Sequence, residues 1–328
     1  MRRREFIKAI VGAAVTAGPL AARAQQSSMP VVGFLNAASA DGYTRFVAEF
    51  RRGLNSMGFV EGQNVVVEYR WADGHYDRLP ELAADLIRRQ VVVIAATSTP
   101  AALAAKKATT TVPIVFTTGG DPVELGLVSN IARPGGNVTG ATQITMEVGQ
   151  KRLELLHQLV PKATALAIAV NPSNPAVAAV QVRDAQDASR ALGLKLEVVQ
   201  ARNEQEFDKA LADLSQRAGG LVIAGGDSFF LSESAKLAEI AGRHKIPAIF
   251  HGREFAAAGG LVSYGASVAA SYLLVGVYTG RILRGEKPGD LPVQRSSKLD
   301  IFINMKTAKT LGVTIPQGLV ITADEVFE

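Results

Sequence analysis

Residues 112–140 read V-P-I-V-F-T-T-G-G-D-P-V-E-L-G-L-V-S-N-I-A-R-P-G-G-N-V-T-G. Residues 114–116 are a short β-branched and aromatic run bounded by turn residues, the pattern of a buried parallel strand. The character then changes at once. Gly119 and Gly120 permit close backbone approach, Asp121 is an N-cap residue, Pro122 suits a first helical position, and Glu124 completes a capping box. The pattern therefore predicts a helix starting where the strand stops. In an open parallel sheet that junction is where ligands bind, because the helix N-terminus offers unpaired N–H donors and positive potential. Asp121 has two compatible readings, a cap and a ligand contact.

Working outward, strands and helices alternate on both sides of this junction. Before it, strands are expected at residues 31–35, 64–69 and 91–95. Between them run a helix with Phe46, Phe50, Leu54 and Met57 on one face and a second helix, capped by Asp77, with Leu79, Leu82, Ala83, Leu86 and Ile87. A third helix spans residues 101–108. After Gly140 the alternation restarts, with helices at 151–160 and 176–192, others around Phe207 and Leu237, and strands at 165–170, 195–199, 221–224 and 247–250. The tail holds a short strand at 261–264, an apolar helix at 269–283, a strand at 300–304 and a short helix at 307–311. Parallel strands need crossover connections, which helices supply. The expected fold class is α/β, two doubly wound parallel-sheet lobes.

The N-terminus is read separately. Arg3-Arg4-Glu5-Phe6-Ile7-Lys8 has the twin-arginine export pattern, residues 9–22 form a mild apolar segment too short to span a membrane, and Ala22-Arg23-Ala24 is a small-x-small cleavage site. Cleavage is expected after Ala24, releasing a periplasmic protein. The whole chain has 35 basic and 30 acidic residues; setting aside five basic and one acidic residue in the signal leaves 30 against 29. The basicity belongs to the export address, and no nucleic-acid patch is implied. The sequence contains no cysteine. Disulfides, thiolate metal sites, cysteine nucleophiles and a lipid-bearing cysteine anchor are thereby excluded. The 304 residues after Ala24 exceed what one core ordinarily serves, which favours two domains.

Candidate binding residues sit at the strand ends: Asn36 and Ser39, Ser98 and Thr99, Gly120 and Asp121, Asn171 and Asn174, Asp227 and Ser228, and His251 with Arg253. Taken singly, each reads first as a cap. Together they gain weight, because doubly wound topology aims all such loops at one edge of each sheet, and two facing edges make a cleft. A small zwitterion suits it: hydroxyls and helix N-termini for a carboxylate, Asp121 or Asp227 for an ammonium, aromatic faces for a side chain. Arg253 suits a ligand carboxylate or a cross-cleft acid. Tyr43, Phe229, Phe230 and Tyr264 lie beside these loops; Trp71, the sole tryptophan, reads as packing. No G-x-S-x-G, Walker A loop, H-E-x-x-H or strand-following G-x-G-x-x-G is present, and His75, His157, His244 and His251 lack metal-like spacing. No catalytic group, cofactor or metal is called.

The chain resembles the ABC-transporter substrate-binding proteins related to the tryptophan-binding TrpX group, of the type I periplasmic binding protein-like kind. The resemblance is carried by residues 119–140, by Y-R-W-A-D-G at 69–74, K-R-L-E-L-L at 151–156 and N-M-K-T-A-K-T-L-G at 304–312. It implies a solute-binding component that captures a small molecule, an amino acid or related small acid, by hinge closure and passes it to ABC permease subunits in the inner membrane. The loops at Ser98-Thr99, Gly120-Asp121, 171–174 and Asp227-Ser228 match those that surround the ligand in this family. Three crossings between lobes are implied, placed near Gln143, Gly260 and Leu291, giving lobe 1 as 30–143 plus 260–290 and lobe 2 as 144–259 plus 291–328. The protein is expected to be a monomer without a lipid anchor. Two rival readings are a ligand-sensing subunit for a membrane receptor and an exported hydrolase or isomerase using Asp121, Asp227 or His251.

Overall fold

The computed structural model describes residues 29–146, 148–295 and 298–328. The export signal, its cleavage site and residues 25–28 lie outside the described residues. The first sheet is built from β1 (Val31–Asn36), β2 (Val66–Trp71), β3 (Val93–Ala96), β4 (Ile114–Thr118) and β5 (Val138–Thr142). Helices α1 (Thr44–Ser56), α2 (Leu79–Arg88) and α3 (Thr99–Ala108) connect the first four strands. The second sheet contains β6 (Ala165–Val170), β7 (Lys195–Gln200), β8 (Leu221–Ile223), β9 (Ala248–Phe250) and β10 (Val262–Ala266). Helix α4 (Gly149–Leu159) precedes it, and α5 (Pro175–Ala191), α6 (Glu204–Ala212), α7 (Ser228–Ser232), α8 (Ser234–Arg243) and α9 (Arg253–Ala257) connect its strands. The chain ends in α10 (Val268–Leu283), β11 (Gln294–Arg295), β12 (Leu299–Asn304), α11 (Met305–Leu311), α12 (Gln317–Thr322) and β13 (Glu325–Phe327).

The strand orders are β11-β5-β4-β3-β1-β2 and β13-β12-β10-β9-β8-β6-β7. Every pairing in the first sheet is parallel, and in the second only β10 with β12 is antiparallel. Period-two alternation fills both faces of the first sheet. Val32, Phe34, Val93, Ala95 and Val115 join the core with α1 and α10, whereas Leu35, Ile94, Ala96, Ile114 and Phe116 join the one with α2 and α3. Helices α1 and α10 touch backbone to backbone. A Cβ at Gly53 would lie 2.0 Å from the Leu273 carbonyl oxygen, and one at Gly276 2.0 Å from that of Phe50.

Four expected features differ in the structure. Residues 119–137, between β4 and β5, contain no helix. Asp121 caps a single turn, its Oδ1 accepting from the N–H groups of Val123 and Glu124 at 2.7 and 3.2 Å, after which two glycines at positive φ, Gly135 and Gly136, precede β5. The helical start signals were genuine, but the apolar periodicity needed to continue a helix is missing beyond Leu127-Val128. Asp77 does not cap α2; it lies in a short 3-10 turn, Tyr76–Arg78, that leads straight into the helix. The crossings near Gly260 and Leu291 also move. β10 pairs with β9 and β12, so Gly259-Gly260 is a turn within the second lobe and the chain leaves it only at Ser267, the N-cap of α10. β11 pairs with β5, so the last return follows Arg295.

Candidate functional site

The carboxyl ends of the two sheets face each other across a partly open cavity of about 30 Å³. The first lobe and the crossing segment contribute Tyr43, Thr97, Ser98, Thr99, Thr117, Thr118, Gly119, Gln143 and Tyr272; the second contributes Gly226, Asp227, Ser228, Leu231 and His251. This is room for a water-sized group or two, so the lobes stand closed. Two further hollows lie along the same seam, one of about 160 Å³ bordered by His251, Arg253 and Phe46, the other of about 280 Å³ bordered by Ser39, Asp73 and Glu233.

Asp227 is the most elaborated group. It is buried at the N-cap of α7, where Oδ1 accepts from the N–H groups of Phe229 and Phe230 at 3.1 and 3.4 Å. Asn171 and Asn174 donate to its two oxygens at 3.2 and 3.1 Å. Tyr76, from the other lobe, donates to Oδ2 at 3.2 Å while accepting from the Phe229 N–H at the same distance. Burial raises the Asp227 pKa above the ordinary carboxylate value, and the asparagine and backbone donors oppose the shift. Burial also raises the hydroxyl of Tyr43, which faces Ser228 and Asp227.

Ser98 caps α3, accepting from the Ala101 N–H at 3.3 Å. Thr99 and Thr118 share a hydroxyl hydrogen bond of 2.7 Å, and Gln143 Nε2 donates to Thr117 Oγ1 at 3.1 Å. Opposite them, Gly119 and Gly226 meet across the seam. A Cβ at Gly119 would stand 2.6 Å from the Gly226 Cα, and Gly226 holds φ +77°, so neither position has space or backbone freedom for a side chain. His251 is buried, with Nδ1 lacking a hydrogen-bond partner, and its pKa is pushed down to about 3 by burial and then by the Arg152 charge. It is neutral at physiological pH.

The predicted residues divide accordingly. Ser98, Thr99, Asp227, Ser228 and His251 line the cavity. Asn171 and Asn174 stand behind Asp227 and orient it. Asn36 is fully buried and spent on structure, donating to Thr97 and the Tyr272 hydroxyl and accepting from the Ala38 N–H. Ser39 faces the outer hollow. Gly120 and Asp121 lie outside the cavity lining; Gly119 takes the place expected of Gly120, and Asp121 is occupied by its turn. Arg253 borders the hollow of about 160 Å³, where it forms a bidentate pair with Glu325 at 2.7 and 2.6 Å and lies against the rings of Phe302 and Phe327. Of the aromatic residues, Tyr43 reaches the cavity, Phe230 is core, and Trp71 packs on Phe34 and Tyr43. Tyr272 and Gln143 were missed. Tyr272 sits inside an apolar helix and meets Asn36 across 236 residues of chain, and no local pattern marks such a pairing.

Among the described residues no group of three or more His, Cys, Asp or Glu side chains is placed to hold a metal ion, and no helix is long and apolar enough to cross a membrane. Two α/β lobes closing on a polar seam define a bilobal solute-binding fold. Residues 31–327 match the family of ABC transporter substrate binding proteins, and the chain belongs to that family. It is 28% identical over 262 residues to the tyrosine-binding protein of Clostridioides difficile (strain R20291), covering 80% of this chain and 75% of that one. Its fold is similar to that of a conserved domain protein from Vibrio cholerae, with TM-score 0.82 and 24% identity over 91% of this chain and 100% of the other. It is likewise similar to an ABC domain from Streptococcus pneumoniae in complex with L-Trp, with TM-score 0.81 and 22% identity over 92% and 100%.

Proposed function

We propose that this protein is the solute-binding component of an ABC importer and takes a small zwitterion, an amino acid, between its lobes. The observation that carries the reading is that strand-end groups from two separate sheets converge on one cavity between the lobes, with a carboxyl group on one side and hydroxyls beside a helix N-terminus on the other. Asp227 receives the ligand ammonium, prepared by Asn171, Asn174 and Tyr76. Ser98 and Thr99 at the start of α3, with Gly119, receive the carboxylate. Tyr43 and Tyr272 supply aromatic surface. Ligand enters with the lobes apart, and closure adds the second half of the contacts and shifts the population toward the shut form. That shut surface is what permease subunits recognise. The names of the relatives, tyrosine-binding and L-Trp-bound, support an amino-acid ligand.

The same reading places the protein in the periplasm as a soluble monomer, exported through the twin-arginine signal and cut after Ala24. It acts by binding and not by turnover. A thermal-shift screen against amino acids and aromatic acids tests it: ligand at 100 times its Kd adds about 2.7 kcal/mol to stability. Mass spectrometry of the recovered ligand is the companion measurement. An unaltered ligand is expected, and conversion to product would replace transport with catalysis.

A further inference from the structure

Arg152 is the largest side chain with no exposure to solvent among the described residues, and the site as drawn above does not use it. It lies in the first turn of α4, just after the chain enters the second lobe. Nη2 donates to the Thr145 carbonyl at 2.6 Å, within the first crossing segment. Nη1 donates to the Tyr264 carbonyl at 3.3 Å, on the strand that leads to the second crossing, and Nε has no partner. No carboxylate faces the guanidinium among the described residues. Asp227, the buried carboxyl group of this lobe's cavity wall, takes its hydrogen bonds from Asn171, Asn174, Tyr76 and two backbone N–H groups, so Arg152 and Asp227 do not pair.

A guanidinium buried against carbonyls alone, without a counter-ion, is a costly arrangement. Burial draws its pKa down to about 10, which still leaves it charged at neutral pH. Its position shows what the charge reaches. A Cβ at Gly225 would lie 3.0 Å from both Nη2 and the Thr145 carbonyl oxygen, and one at Gly119 would lie 2.4 Å from Thr145 Oγ1 and 2.6 Å from the Gly226 Cα. Thr145 and Gly225 therefore form a thin partition between Arg152 and the Gly119–Gly226 end of the cavity. His251, which lines the same cavity, is kept neutral partly by this cation.

We propose that Arg152 is a specificity-determining positioning residue: from behind the Thr145–Gly225 partition it makes the Gly119 side of the cavity positive, so that the solute must place a carboxylate there. This rests on the solute-binding reading above. Arg152 touches no ligand atom; it works by its field through the buried Thr145–Gly225 wall and by fixing the Thr145 and Tyr264 carbonyls that flank two crossings between lobes.

The test measures binding of tyrosine and tryptophan, and of their carboxamides, which keep the ammonium and ring but lose the anion, to the full chain and to Arg152→Gln and Arg152→Lys. Wild type is expected to prefer acid over amide, Arg152→Gln to lower that ratio roughly tenfold, and Arg152→Lys to keep most of it. A general loss of packing weakens acid and amide alike and leaves the ratio unmoved. A folded Arg152→Gln protein with the wild-type ratio overturns the inference. So does an Arg152→Lys protein, read alone if the Gln variant does not fold, in which acid and amide bind equally. Wild type that binds acid and amide equally overturns it with no variant needed. Wild type that binds none of a broad panel of amino acids and aromatic acids overturns the solute-binding reading itself, and this inference with it.

Discussion

His251 and Asp121 show how a side chain's surroundings settle what its chemistry is for. His251 in the unfolded chain takes up a proton below about pH 6.5, whereas in the folded protein it stays neutral until about pH 3. Across that window the unfolded state binds more protons, so stability falls as pH falls and is regained on the way up to neutrality. Between pH 7 and pH 5 this one group should remove about 2 kcal/mol. Urea unfolding at the two pH values, for wild type and His251→Gln, checks it: the variant should lack that component, and an identical pH slope in both would show that the imidazole titrates normally. Asp121 has the opposite character. Its carboxylate holds two N–H groups of its own turn, so Asp121→Ala should cost about 1 kcal/mol in stability and leave ligand affinity within about twofold. A tenfold weaker Kd would return Asp121 to the binding surface.

At the level of elements, the first lobe depends on a helix pair that is remote in sequence. Helices α1 and α10 press together at Gly53 and Gly276, where the partner's carbonyl oxygens occupy the volume a Cβ would need. Tyr272, four residues before Gly276, reaches from this same helix to Asn36 and Thr97 and so fixes the floor of the cavity. Gly276→Val should therefore lower stability by about 3 kcal/mol through overpacking and weaken ligand binding as α10 is displaced. Denaturant midpoints and titration calorimetry on the same preparation check both. A fully stable variant would mean that the helices can separate without consequence. The connection from β4 to β5 is the element that local signals misread. Its cap residues are present and used, yet a cap stabilises only the first turn, and without an apolar face to bury the chain has no reason to continue as a helix.

The whole molecule is two lobes held shut by a few contacts across a polar seam. Tyr76 bonds to both Asp227 and the Phe229 N–H, Arg45 pairs with Glu254, and Gly42 abuts Ser232. Of these the Tyr76 hydroxyl is the only one joined directly to a residue of the cavity. It joins the two lobes directly, so Tyr76→Phe should shift the population toward open. The expected loss is about 1 kcal/mol of closure, seen as a Kd raised roughly fivefold and a larger radius of gyration in small-angle scattering without ligand. Unchanged affinity and scattering would show that closure is governed elsewhere.

Most of the strand and helix order is written in local sequence. Alternating apolar runs and helical faces, strand-end polar residues and glycine punctuation are local patterns, and a strand such as β6, expected at residues 165–170, needs nothing distant to be recognised. The same locality showed that Ser98, Thr99, Asp227 and Ser228 stand at helix starts. What each group is free to do was decided by tertiary structure alone. Asn36 and Arg253 have the same strand-end setting as Asp227, but one is consumed by Tyr272 and Thr97 and the other by Glu325, residues that only folding brings near. Arg152 was legible as part of a motif and not as a buried charge, because burial and the lack of a facing carboxylate among the described residues are properties of surroundings assembled from three separate stretches of chain. A cap is a contact between near neighbours and is written in spacing; whether a strand-end group ends on the cavity wall or inside the structure is settled by long-range contacts, which exist only once the chain has folded.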